Sequence, residues 1–198
     1  MTEQNAPKGE PYGQAVACLH SCPSLPAAVV IHPDHVLWPH SSDGLTPDGF
    51  QLLEQASAVL SALRAQQLPV TLVVPASSAQ LVRSCLDSNN MAAQFTTVVD
   101  FEDDTQQQPP QQQQQQLGRP AQPRVSSAWA AAAASLKSQL GCPWQQMLFF
   151  SADPLGVREA SRLGMAAAKV PVATGLDVAS LRAGLQVYES KLESDRGY

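Results

Sequence analysis

Residues 28–40 read "AVVIHPDHVLWPH". A short apolar run, Val29-Val30-Ile31, feeds into three histidines, one aspartate and a Trp-Pro. A run with no polar break reads as a strand buried on both faces, as in a parallel sheet. In α/β proteins the carboxyl ends of such strands carry the functional site, so His32-Pro33-Asp34 becomes the first place to look for chemistry.

Outward from this stretch, "AAVVIH" (27–32), "LPVTLVV" (68–74), "FTTVV" (95–99), "QMLFF" (146–150) and the weaker "MAAAKV" (165–170) are strand candidates. Helical patterns alternate with them. Thr46 as N-cap and Pro47 at the first helical position open one helix, with Phe50, Leu53, Leu60 and Leu63 at helical spacing. Ser77 or Ser78 caps a second, running to about Asp87. "SSAWAAAAASLKSQLG" (126–141) is a third, Ala-rich, with Gly141 at its end. Asp153-Pro154 starts a fourth, and Val178, Leu181, Leu185, Tyr188 and Leu192 mark the last. This alternation calls for right-handed crossovers and a five-stranded parallel sheet with helices on both faces, a three-layer α/β/α sandwich of Rossmann type. Its functional strand ends are then His32-Pro33-Asp34, Val74-Pro75-Ala76 and Ser151-Ala152-Asp153.

At 198 residues and 44% hydrophobic content, one domain with tails is expected. Residues 1–25 read as a mobile tail, 26–192 as the domain and 193–198 as a C-terminal tail. Residues 105–123, dominated by Gln and Pro, offer one apolar side chain larger than proline, Leu117. They read as a solvated insertion within the domain. A net charge of −5 and the lack of a basic patch argue against nucleic acid and anionic membranes as partners. No apolar run has bilayer length and the N-terminus resembles neither a signal peptide nor the Arg-rich amphipathic kind of transit peptide, so a cytoplasmic protein is expected. Four sparse cysteines, Cys18, Cys22, Cys85 and Cys142, suggest reduced thiols. "CLHSC" (18–22) lacks a second ligand pair at zinc spacing. His32, His35 and His40 with Asp34 offer zinc-type donors. In extended chain, however, 35 faces away from 32 and 34, and Pro39 intervenes before His40.

The wording of several segments resembles the haloacid dehalogenase (HAD) superfamily, and within it the eukaryotic magnesium-dependent phosphatases. "HPDHVLWP" (32–39) is similar to that family's Asp-x-Asp-x-Thr-Leu-Trp-Pro signature. "SSDG" (41–44), "LPVTLVV" and "GCPWQQMLFFSADPLGVREASRLGM" (141–165) resemble further family segments in the same order. The resemblance implies a HAD-like fold with its cap reduced to about "PHSSDGL", and phosphoryl transfer through an aspartyl-phosphate with Mg²⁺.

Position by position, the resemblance keeps one part of that machinery. The nucleophile position holds His32 and the acid/base position Asp34. The Thr position is Val36, the hydroxyl position after the second strand falls on Val74, and the Lys position falls near Trp129. The paired acids of the fourth motif are replaced by Ser151 and Ala152, with Asp153 next. The expectation is therefore a catalytically inactive phosphatase homologue with no metal or other cofactor. It would serve as a binding or structural component for a protein partner or larger assembly that the sequence does not name. The alternative is an active Mg²⁺-dependent phosphatase rearranged around Asp34 and Asp153, with His32 as any third ligand.

Overall fold

Val29, Val30 and Ile31 form the centre of the sheet. The computed structural model describes residues 9–102 and 127–197. β1 (Ala28–Ile31) is buried at all four positions. It pairs in parallel with β2 (Val70–Pro75) on one side and β4 (Met147–Ser151) on the other. β3 (Thr97–Phe101) lies outside β2 and β5 (Ala166–Lys169) outside β4, giving the order β3-β2-β1-β4-β5, all parallel. A strand with neighbours on both edges and helices on both faces meets no water, which is why β1 shows no polar alternation. The order is that of a doubly wound sheet, and its direction of winding reverses between β1 and β4.

The strand pleat sends alternate side chains to opposite faces. Val29, Ile31, Leu72, Val74, Leu148 and Phe150 pack with α1 (Glu10–Ser21), α2 (Glu54–Ala65), α3 (Ala76–Ser88) and α6 (Val178–Arg196). Ala28, Val30, Val73, Met147 and Phe149 pack with α4 (Ser127–Leu140) and α5 (Pro154–Arg162). The three-layer α/β/α arrangement expected from the sequence is thus present. Between β1 and α2 the chain makes turns and one 3₁₀ turn, Ser42–Gly44, rather than a separate folded unit.

Four readings of the sequence are corrected. Residues 10–21, read as part of a mobile tail, form α1, which buries Ala15, Cys18 and Leu19 against α2 and α6. Burial of that apolar stripe offsets the ordering entropy that a polar tail cannot recover. The helix expected from Thr46-Pro47 begins at Glu54 instead. Residues 46–49 close their own turn, with Gly49 N donating to the Thr46 carbonyl at 3.1 Å and to Thr46 Oγ1 at 3.1 Å. α6 continues to Arg196, so 193–196 belong to a helix rather than a tail. β3 lies two residues later than expected, ending at Phe101. The Gln-rich segment 105–123 lies outside the described residues.

All four cysteines are free thiols. Among the described residues no helix is long and apolar enough to cross a membrane.

Candidate functional site

The register of β1 against β4 places the site. Ile31 stands opposite Phe150, so the next residues, His32 and Ser151, are neighbours at the carboxyl ends. His32 N donates to the Phe150 carbonyl at 2.9 Å, which carries the ladder one residue past the strand. By pleat parity His32 and Ser151 share the face of Val30 and Phe149, beneath α4 and α5. Ser151 Oγ is 3.4 Å from His32 Nδ1 and accepts from Asp153 N at 3.0 Å. The hydroxyl can give its proton to Nδ1 or accept one from it, and the imidazole tautomer sets which. Burial pushes the His32 imidazole below its ordinary value; Asp34 and Asp153 pull it up, and His35 pushes it further down. The net direction is down, so the ring is neutral near pH 7.

Two carboxylates flank this pair, and both face backbone or serine donors. Asp34 Oδ1 accepts from Ser42 N at 3.0 Å and from Ser42 Oγ, and Oδ2 accepts from Ser41 Oγ at 3.3 Å. Asp153 caps α5, accepting from Leu155 N at 3.0 Å and Gly156 N at 2.9 Å, with Pro154 in the first turn. His35 adopts φ +58°, and its Nδ1 is buried without a hydrogen-bond partner. His40 is exposed.

An aromatic row closes the α4 side. Phe101, at the end of β3, lies 6.3 Å from the His32 ring and stacks on Trp129 at 5.4 Å and 27°. Trp129 meets Phe149 edge-on at 5.5 Å and 82°. Gly156 completes the wall: a Cβ there would stand 3.3 Å from Ser151 Oγ, 3.5 Å from Asp153 Oδ2 and 3.5 Å from Trp129 Cζ2.

The structure therefore brings together His32, Asp34, Ser151, Asp153 and Trp129. It separates three other candidates from them. Val36 is buried in the turn after β1, and its carbonyl accepts from Leu176 N at 2.8 Å. Val74 and Ala152 pack on the opposite face of the sheet, because each sits one residue out of phase with the site face. Ser78, a buried hydroxyl just after β2, donates to the Pro75 carbonyl at 3.2 Å. Phe101 and Gly156 were not singled out in the sequence. For Phe101 the available signal was an apolar residue ending a strand, hidden by the early placement of β3.

Mg²⁺ asks for near-octahedral oxygen ligands, including carboxylates free to coordinate. Here the strand ends offer an imidazole, a neutral hydroxyl and two carboxylates held by N–H and O–H donors. Among the described residues no three His, Cys, Asp or Glu side chains converge as a ligand set, His32, His35 and His40 included. The residues present do not fit the metal that the resemblance implies.

No protein-family model matches this chain, and no curated protein sequence does. Among solved structures, a crystal structure of a HAD-superfamily hydrolase from Ehrlichia chaffeensis is similar, with 13% identity and a TM-score of 0.49. The alignment covers 74% of this chain and 63% of that one, so the chain spans less than two thirds of that structure's length.

Proposed function

We propose that this protein is a catalytically inactive HAD-type phosphatase homologue that serves as a binding or structural component. One observation carries the reading. At the point between β1 and β4 where phosphoryl transfer needs free carboxylates, His32 faces Ser151, while Asp34 and Asp153 hold local backbone. Phosphate monoester hydrolysis needs a nucleophile, charge neutralisation and placed donors acting together. Loss of the nucleophile alone from such a cooperative site typically costs on the order of 10⁴–10⁶ in rate. A neutral imidazole can attack phosphorus in principle, but it would need cations to meet the developing charge. Lys137, on the same helix as Trp129, is exposed in the last turn of α4, about 12 Å along the axis from Trp129. The net charge of −5 favours a protein partner over nucleic acid.

The test is hydrolysis of p-nitrophenyl phosphate and phosphotyrosine by the purified protein in excess Mg²⁺. The expected result is no turnover above a buffer control. Turnover that disappears on Asp34→Asn would overturn the proposal in favour of an active site rearranged around Asp34 and Asp153.

A further inference from the structure

We infer that Trp129 is the residue that decides access to this site, its indole shutting the Ser151 side of the strand-end crevice against any ligand larger than water. The inference rests on the reading of this crevice as an emptied phosphatase site, and it adds a steric closure to the chemical one.

Three observations support it. Ser151 is 0% exposed although it ends a strand at the reversal point of the sheet, where such proteins open a crevice. Trp129 is only 6% exposed although it stands in the first turn of its helix. The indole is held from three directions: Phe101 stacks on it, Phe149 meets it edge-on, and Gly156 lets it come close. Trp129 Cζ2 and Ser151 Oγ both lie within 3.5 Å of the point where a Cβ on residue 156 would be. The indole and the hydroxyl thus border the same space beside Gly156, and Ser151 has no exposed surface there. His32 keeps a partly exposed edge, so the closure is specific to the Ser151 side. Aromatic pairs of this geometry add to area burial, so the indole is fixed rather than loosely placed.

The experiment uses the full chain carrying Ser151→Cys, alone and combined with Trp129→Leu or Trp129→Phe. The probe is methyl methanethiosulfonate, a small uncharged thiol reagent, and the readout is the labelling rate of each cysteine by peptide mass spectrometry. Cys85, buried in the other layer, reports whether the fold stays shut. With Trp129 present, the thiol at 151 should label as slowly as Cys85, because a buried thiol reacts only through local opening. Trp129→Leu should raise its rate by about tenfold or more with Cys85 unchanged, since truncation leaves a cavity that packing refills only in part. Should Leu open the whole fold, seen as a joint rise of Cys85, the milder Trp129→Phe decides by the same criterion. Fast labelling at 151 with Trp129 in place would overturn the inference. So would a rate that Trp129 replacement leaves unchanged while Cys85 stays protected. Either outcome would leave the inactivity proposal standing, whereas turnover of p-nitrophenyl phosphate would remove that proposal without bearing on the labelling.

Discussion

The ends of β1 and β4 rhyme in sequence and differ in use. Each runs from a buried strand into a tripeptide closed by aspartate, His32-Pro33-Asp34 and Ser151-Ala152-Asp153. In both, the first side chain faces the crevice and the third turns back on local backbone. Asp34 gathers Ser41 and Ser42 to shape the 3₁₀ turn, a partly buried arrangement that includes the buried Ser42 hydroxyl. Asp153 caps α5 at an exposed position that water can also serve. A carboxylate at a strand end is therefore not by itself a catalytic signal. What it accepts from decides its role, and here both aspartates accept from the fold.

The two aspartates should differ in what their loss costs. Asp34→Ala should cost more than Asp153→Ala, because it leaves Ser42 N and the buried Ser42 hydroxyl without their acceptor, a loss of about 1–3 kcal/mol. Asp153→Ala removes a helix N-cap and should cost about 1 kcal/mol. Urea denaturation of both variants measures the difference. Equal or reversed costs would mean that Asp34 does not hold the turn.

A smaller effect concerns the first residues of the two tripeptides. The folded-state value of His32 is depressed mainly by burial. As pH falls through the unfolded-state value of about 6.5, the unfolded chain takes up a proton that the folded chain resists. The contribution of the neutral imidazole is thus present above that pH and lost as pH falls toward the folded-state value. Ser151, which does not titrate, adds no such slope. His32→Gln should flatten the fall in melting temperature between about pH 7.5 and 5.5. An unchanged acid slope would contradict burial as the cause.

Much of the sheet was legible in the sequence because β1 and β4 are unbroken apolar runs and helical spacings separate the strands. The helix Glu10–Ser21 was missed because Pro11, Gly13 and polar neighbours hide its stripe. Tyr12, Ala15, Val16 and Leu19 nevertheless keep the i, i+3, i+4, i+7 spacing of an amphipathic helix. Thr46-Pro47 looked like a helix start because cap chemistry also closes turns. At the site, His32, Asp34, Ser151, Asp153 and Trp129 could be found by resemblance, since parity and register follow from strand positions. Val74 and Ala152 fell one residue out of phase, and in a strand one residue changes the face. The engagement of Asp34 could not be read, because Ser41 and Ser42 reach it only through the folded backbone, whereas Asp153-Pro154 was legible as a helix start and its carboxylate caps α5.

Whether these strand ends offer free carboxylates is read from the effect of Mg²⁺ on melting temperature. The wild-type protein is compared with the double variant His32→Asp, Ser151→Asp. A ion that binds only the folded chain raises its stability in proportion to the logarithm of its concentration above Kd. The wild-type protein should show no rise beyond that given by NaCl at matched ionic strength, and the double variant should show one. A Mg²⁺-specific rise in the wild type, lost on Asp34→Asn or Asp153→Asn, would contradict the account.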